Sequence, residues 1–402
     1  MTRPLDVDAI RAHFPALSGG TAFFDGPGGS QTPIAVADAI RTALLGPLAN
    51  RGTLTAAARN AEEIVVRCRA ALGDLLNADP DAVIFGRSMT ELTFGLARTL
   101  STQWSSGDEV VVTSLDHDAN VRPWVVAAAG AGAVVRWVEF DPATGELPVA
   151  NIEAQLSERT RLVAVTAASN LIGTMPDIGA IATRVHAAGA VLYVDGVHYT
   201  AHSAVDFAEL GADFFACSPY KFLGPHCGVV AGKPEVLESL RPDKLLPAPD
   251  RVPERFELGT LPYELMAGTT AAVEFLAGLT GHSGNRRDRL VAGMSALELH
   301  EDTLRRRIED GLRLLPGVTV HSRAERRTPT LLVTFADHDA AAISAVLAQH
   351  DINAPAGSFY AYEPVRRLGI GDAGGLRIGL APYNNDEDVD RLISTLAAAL
   401  RA

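Results

Sequence analysis

Lys221 closes a mostly apolar run, Ala212-Asp213-Phe214-Phe215-Ala216-Cys217, that ends in Ser218-Pro219-Tyr220-Lys221 and is broken by Gly224-Pro225. A lysine just past a buried strand is poorly solvated, and desolvation lowers an amine's pKa towards its neutral form. A neutral amine can attack a carbonyl and form a Schiff base. An isolated lysine is usually an ordinary surface residue, so the reading rests on its companions. Asp195 ends a second apolar strand, Ala190 to Val194, where a carboxylate needs a cationic partner because burying an unpaired charge is costly. His198 follows three residues on. His117 and Asn170 sit beyond two further strands, with a flat ring in one and an amide in the other. Ser88, Met89 and Thr90 open a helix whose first backbone amides can seat a phosphate.

These residues share one position in a repeating pattern. From residue 80 onward, apolar β-type runs alternate with helical spacing: Ala82–Phe85, Glu109–Thr113, Ala133–Val138, Arg161–Thr166, Ala190–Val194 and Asp213–Ala216. Strands with no polar face imply a parallel sheet covered by helices on both sides. In such sheets ligands lie outside the carboxyl ends of the strands. The polar strand ends therefore face one cavity. Helices are also expected over Val7–His13, Ala35–Leu45 and Ala56–Leu76, with a strand over Thr21–Phe24. The loop Asp25-Gly26-Pro27-Gly28-Gly29-Ser30 carries Gln31 where a GxGxxG fingerprint needs glycine, and no GK[ST] occurs, so neither nucleotide motif is present. The stretch from Lys221 to about 280 reads as less regular. A long charged helix over 286–313, a strand over Thr328–Phe335, a helix over Ala340–Gln349, a strand over Leu376–Leu380 and a helix over Asp386–Leu400 form a smaller α+β unit.

Composition narrows the function. The 402 residues carry a formal charge of −13, which argues against nucleic acid or an anionic membrane as the main partner. No apolar run reaches the ~18 residues of a spanning helix, and Met1–Asp6 lacks the apolar core of a signal peptide. Three cysteines, Cys68, Cys217 and Cys227, form no CxxC pair and cannot all be disulfide-bonded, which fits a reducing cytoplasm. No metal is expected.

Together the strand ends supply a phosphate seat, a stacking ring, an amide, a carboxylate and an amine. Pyridoxal phosphate needs such a set: an anion site, a face partner, an Asp at the pyridinium nitrogen and a Lys for the aldehyde. In that reading Lys221 is also the base at the substrate Cα.

The chain resembles the class V aminotransferases of fold type I, and especially their cysteine desulfurase branch. The matching pieces are Thr90-Glu91, His117-Asp118-Ala119-Asn120 with Pro123-Trp124, Ser169-Asn170, Val194-Asp195-Gly196, Ser218-x-x-Lys221 with Gly224-Pro225, Gly259-Thr260, and Arg377 before Tyr383-Asn384. They run in family order from residue 21 to 395. The resemblance implies a large cofactor domain over 21–280 with a mainly parallel seven-stranded sheet, a small domain over 281–402, and an N-terminal segment, 1–20, packing with the small domain. It makes Lys221 the Schiff-base lysine, Asp195 the pyridinium partner and His117 the stacking ring. His198 stands where the family has Gln at the phenolic oxygen, and Tyr220 stands where the desulfurase branch has His. Thr90 and Ser218 hold the phosphate, with Thr260 reaching over from the second subunit of a homodimer. Arg377 forks onto the substrate α-carboxylate.

The departures bear on the reaction. Desulfurases carry a mobile loop whose thiol takes sulfur from the substrate. The corresponding segment here is Gly357-Ser358-Phe359-Tyr360-Ala361, with Tyr360 at the cysteine's place. A phenol cannot form a persulfide. The expectation is a pyridoxal-phosphate enzyme acting at Cα or Cβ of a small α-amino acid through a Lys221 aldimine and a quinonoid, by amino transfer or by carbon–sulfur or other β-elimination. The alternatives are epimerisation, a desulfurase using a non-standard thiol such as Cys227, and a non-catalytic cofactor-binding protein. Asn170 and Tyr360 join Arg377 on the substrate side, and Tyr360 and Tyr220 are candidate acids.

Overall fold

Strands apolar along their whole length can exist only where both faces are covered, and this chain satisfies that demand with two helical layers. A computed structural model describes residues 5–401; Met1–Pro4, the head of the expected N-terminal segment, lie outside the described residues. The strands, in chain order, begin with β1 (Ala22–Phe23), β2 (Val83–Gly86), β3 (Glu109–Thr113), β4 (Val134–Val138), β5 (Thr160–Thr166), β6 (Val191–Asp195), β7 (Phe214–Cys217) and β8 (Gly228–Gly232). They continue with β9 (Val318–Val320), β10 (Thr330–Phe335), β11 (Ile352–Asn353), β12 (Ala356–Gly357) and β13 (Gly375–Gly379). Strands β2 to β8 form one seven-stranded sheet in the order β2-β8-β7-β6-β5-β3-β4, in which β8 alone runs antiparallel to its neighbours. The mainly parallel sheet of fold type I is therefore present.

Alternation along each strand divides the core. Val111, Val163, Val165, Leu192, Val194 and Phe215 point into one layer. Val110, Val112, Leu162, Ala164, Tyr193 and Phe214 point into the other. Both sets are buried, as a period-2 side-chain pattern inside a three-layer sandwich requires. The helices α1 (Val7–Arg11), α2 (Ile34–Leu45), α3 (Ala56–Leu76) and α4 (Met89–Ser101) lie within a turn of the ranges expected from spacing.

The stretch after Lys221 is more regular than expected. It contains β8 and a helix over Tyr263–Gly278 that packs on α2 and α3. That helix is apolar around most of its circumference, so it carries no amphipathic signature to read. Strand β8 is short and bounded by glycine at each end, which hides it from a propensity argument.

A second unit is built on the sheet β12-β13-β10-β9, with its own core of Leu304, Leu331, Val333, Leu376, Ile378 and Leu392. Strand β1 pairs parallel with β11, so Ala22–Phe24 sits in this unit rather than on the large sheet. Arg11 of α1 pairs with Asp388 at 3.0 Å, and Phe14 packs edge-on against Phe275 and Tyr383.

Candidate active site

The carboxyl ends of β2, β3, β5, β6 and β7 open onto one cavity of about 370 Å³. Its walls include Ser88, Met89, Thr90, His117, Asn170, Asp195, His198, Ser218, Tyr220 and Lys221 from the large sheet's edge, with Tyr360 and Arg377 from the second unit. Thr260 is the exception. It is exposed and lines a separate pocket with Arg87, Leu258 and Pro262.

Lys221 is held beside the cavity by the turn that β7 runs into. Its Nζ donates to the carbonyl of Pro27 and lies 4.6 Å from the centre of the Tyr220 ring. Burial, and next the positive charge of Arg377, bring its pKa down to about 7. An amine brought down this far has a neutral form within reach near physiological pH, as a nucleophile or proton carrier requires. Asp195 is buried at the end of β6, and burial raises its carboxyl to about 6 although Oδ1 accepts the Val197 N–H at 2.9 Å. A carboxylate so placed favours a cationic partner.

His117 is kept neutral by burial, its pKa lowered to about 4. Its Nδ1 accepts from the Ala119 N–H at 3.0 Å, which fixes the ring, and Tyr360 lies tilted over it at 5.7 Å. Behind it, Asp116 is fully buried against Thr113 and Asn120, and burial raises it to about 8, so it carries its proton at neutral pH. His198 is also held neutral by burial, its Nε2 within 2.9 Å of the Thr328 and Thr330 hydroxyls. Its Nδ1, like Asn170 Oδ1 and Arg377 Nε, is buried with no hydrogen-bond partner among the described residues. Buried polar atoms are rarely left so. Ser88 caps α4 by accepting the Glu91 N–H at 3.1 Å, leaving the helix N-terminus directed at the cavity as an anion seat.

Arg377, on β13, is almost fully buried. Its guanidinium donates to Asp25 Oδ1 at 2.8 Å and to the Asn170 carbonyl at 3.2 Å, and its Cζ lies over the Phe359 ring, 3.7 Å from the ring centre. Phe359 and Tyr360 both adopt positive φ, 55° and 57°. The anchors are Asn170 Nδ2 on the Phe359 carbonyl, 3.0 Å, and the Asp118 N–H on the Tyr360 carbonyl, 2.8 Å. Such backbone persists in bulky residues only where surroundings over-determine it.

Asp25, Pro27 and Phe359 line the cavity too, and the sequence reading passed over them. Asp25 had a signal: a carboxylate just after an apolar strand, as Asp195 is. Phe359 and Pro27 had none, since one acts through its ring face and the other through a backbone carbonyl. None of the three cysteines lines the cavity; all are buried and unbonded.

Comparison with known proteins follows the same outline. A family model described as Aminotransferase class-V matches residues 22–392. The uncharacterized protein MT3887 of Mycobacterium tuberculosis is 34% identical over 98% of this chain and 99% of its own length. A cysteine desulfurase of Dickeya dadantii is 31% identical over 97% of this chain and 96% of its own. Among solved structures, the Escherichia coli cysteine desulfurase CsdA superimposes with a TM-score of 0.87 at 28% identity, covering 98% of each chain.

Proposed function

The chain belongs to the class V aminotransferase family, and from that premise we propose that it performs amino transfer or β-elimination on a small α-amino acid without forming a persulfide on the protein. Its cofactor is pyridoxal 5'-phosphate, and its chemistry lies at the substrate's Cα and Cβ. The cavity suits that group. The α4 N-terminus with Ser88, Thr90 and Ser218 would hold the phosphate, Asp195 the ring nitrogen and His117 the ring, and the unpartnered His198 Nδ1 would supply a polar edge.

When bound, the cofactor supplies an electron sink for the pair left at Cα. The protein supplies the rest. Lys221, its amine brought down to about 7 by burial, accepts and returns the Cα proton. Asp195 stabilises positive charge at the ring nitrogen. Arg377, its plane set by Phe359 and Asp25, holds the substrate carboxylate. A volume of about 370 Å³ for cofactor and substrate together is at the low end of ligand pockets (~300–1,000 Å³), which favours a small amino acid.

One observation carries the absence of persulfide chemistry: no cysteine reaches the cavity, and Tyr360 occupies the loop facing Lys221. Burial raises all three thiols, Cys227 to about 12, whereas the thiolate is the nucleophile. The reconstituted protein turned over with L-cysteine and a panel of amino acids should give a keto-acid product with all three thiols unmodified. A persulfide trapped on Cys227 during turnover would overturn the proposal.

We further propose a homodimer in which Gly259-Thr260 completes the second subunit's phosphate site. The exposure of Leu258 and Thr260 outside their own cavity supports it. The domain division at about residue 280 and a cytoplasmic location belong to the same proposal. No helix among the described residues is long and apolar enough to cross a membrane.

A further inference from the structure

The glycine loop that fails as a nucleotide motif has another use. Asp25 to Ser30 crosses from the second unit to the turn carrying Lys221 and is fastened at both ends. At one end, Asp25 bridges Gly379, and the Gly379 N–H donates to the Phe24 carbonyl at 2.8 Å. Two residues earlier on β13, Arg377 holds the Asp25 carboxylate. At the other end, the Ser30 N–H donates to the Tyr220 carbonyl at 3.2 Å, and the Leu223 N–H donates to Ser30 Oγ at 2.9 Å. Between these ties, the Pro27 carbonyl receives Lys221 Nζ. Close approach sets the residue types: a methyl group on Gly28 would overlap the Asp25 carboxylate, and one on Gly379 would overlap the Pro27 ring.

We propose that the Asp25–Ser30 loop is a positioning element that couples the carboxylate-binding arginine to the proton-carrying lysine. In it, the Pro27 carbonyl holds the free Lys221 amine at the cavity wall, and Asp25 fixes the plane of Arg377. The inference rests on the functional reading above for the roles of Lys221 and Arg377. The charged and titratable groups facing the amine come from several elements: Arg377 on β13, Asp25 on the loop, Asp195 on β6, His117 and His198 on strand-end turns, and Tyr220, whose ring lies beside Nζ. Of these, Asp25 is the one the loop itself carries. Asp25 and Pro27 both favour the ammonium form, one by charge and one by accepting its hydrogen bond.

The test is the pH dependence of the rate at which the cofactor-free full chain takes up pyridoxal phosphate, followed by visible absorbance. Uptake needs the neutral amine, so the rate rises with pH through the lysine's titration. Asp25→Asn removes the charge and keeps the shape. Gly28→Ala keeps every charge and displaces the loop. Both should move the midpoint to lower pH by roughly half a unit or more. A loop that only supports the fold would slow uptake equally at every pH and leave the midpoint in place. Wild-type midpoints in both variants overturn the proposal while leaving the functional reading intact. If the wild type takes up no cofactor at all, the functional reading fails and this inference falls with it.

Discussion

The cavity has two unlike walls. One is the carboxyl edge of the large sheet, where each functional side chain stands at or just after the end of a buried strand. The other comes from the second unit and consists of one strand arginine and the loop that follows β12, Ser358 to Ala361, held in unusual backbone geometry by contacts to the first wall. The first wall is positioned mainly by local sequence: strand length and register bring Asp195 to the edge, and the turn after β7 brings Lys221 there, where the Pro27 carbonyl holds its amine. The second is positioned by tertiary contact, with Arg377 gripped by Asp25 and Phe359, and Tyr360 by the Asp118 amide. The difference separates two tasks. In the proposed function the sheet edge is assigned the cofactor chemistry, and the loop wall the discrimination among substrates and reactions.

Substitutions on the two walls should therefore fail differently. The largest effect is expected at the sheet edge. Lys221→Ala removes both the covalent anchor and the proton carrier, so turnover should fall by at least ~10²–10⁴-fold and the visible band of the Schiff base between cofactor and lysine should be lost. A coloured variant with substantial turnover would break the assignment of the first wall. Arg377→Leu should leave that absorbance in place and raise KM for the amino acid by about 10–150-fold. That range corresponds to one charge-assisted contact of ~1.5–3 kcal/mol. Loss of cofactor instead of loss of substrate affinity would show that the two walls do not divide the work in this way.

What was legible in the sequence follows the same division. Asp195, His117, Ser88 and Lys221 could be found because a polar residue ending an apolar run has few places to go in a covered parallel sheet. The mainly parallel sheet was legible for the same reason. The helix Tyr263–Gly278 was hidden by its nearly uniform apolar surface; the strand at Ala22–Phe23 was legible, but not its place in the second unit, which is set by pairing with a strand more than three hundred residues away. Asp25 carried the same signal as Asp195, but its partner, and the whole of Phe359's part, depend on Arg377 from the other end of the chain. Asp116 lay in plain view beside His117, but a neutral buried carboxyl becomes apparent only once its surroundings are known.

The smallest expected effect sharpens the comparison most. The resemblance to the desulfurase branch puts Tyr360 at the place of that branch's thiol, yet the residue is 78% exposed. It enters the site through its ring, tilted over His117, and through its carbonyl, which accepts from Asp118. Phenylalanine preserves both contacts. Tyr360→Phe should change stability by under ~0.5 kcal/mol and turnover by no more than about twofold. Unchanged turnover means that the residue replacing the thiol shapes the wall and transfers no proton. A drop of tenfold or more, with KM unchanged, would instead make the phenol the acid that reprotonates the substrate. The second wall would then hold catalytic chemistry of its own.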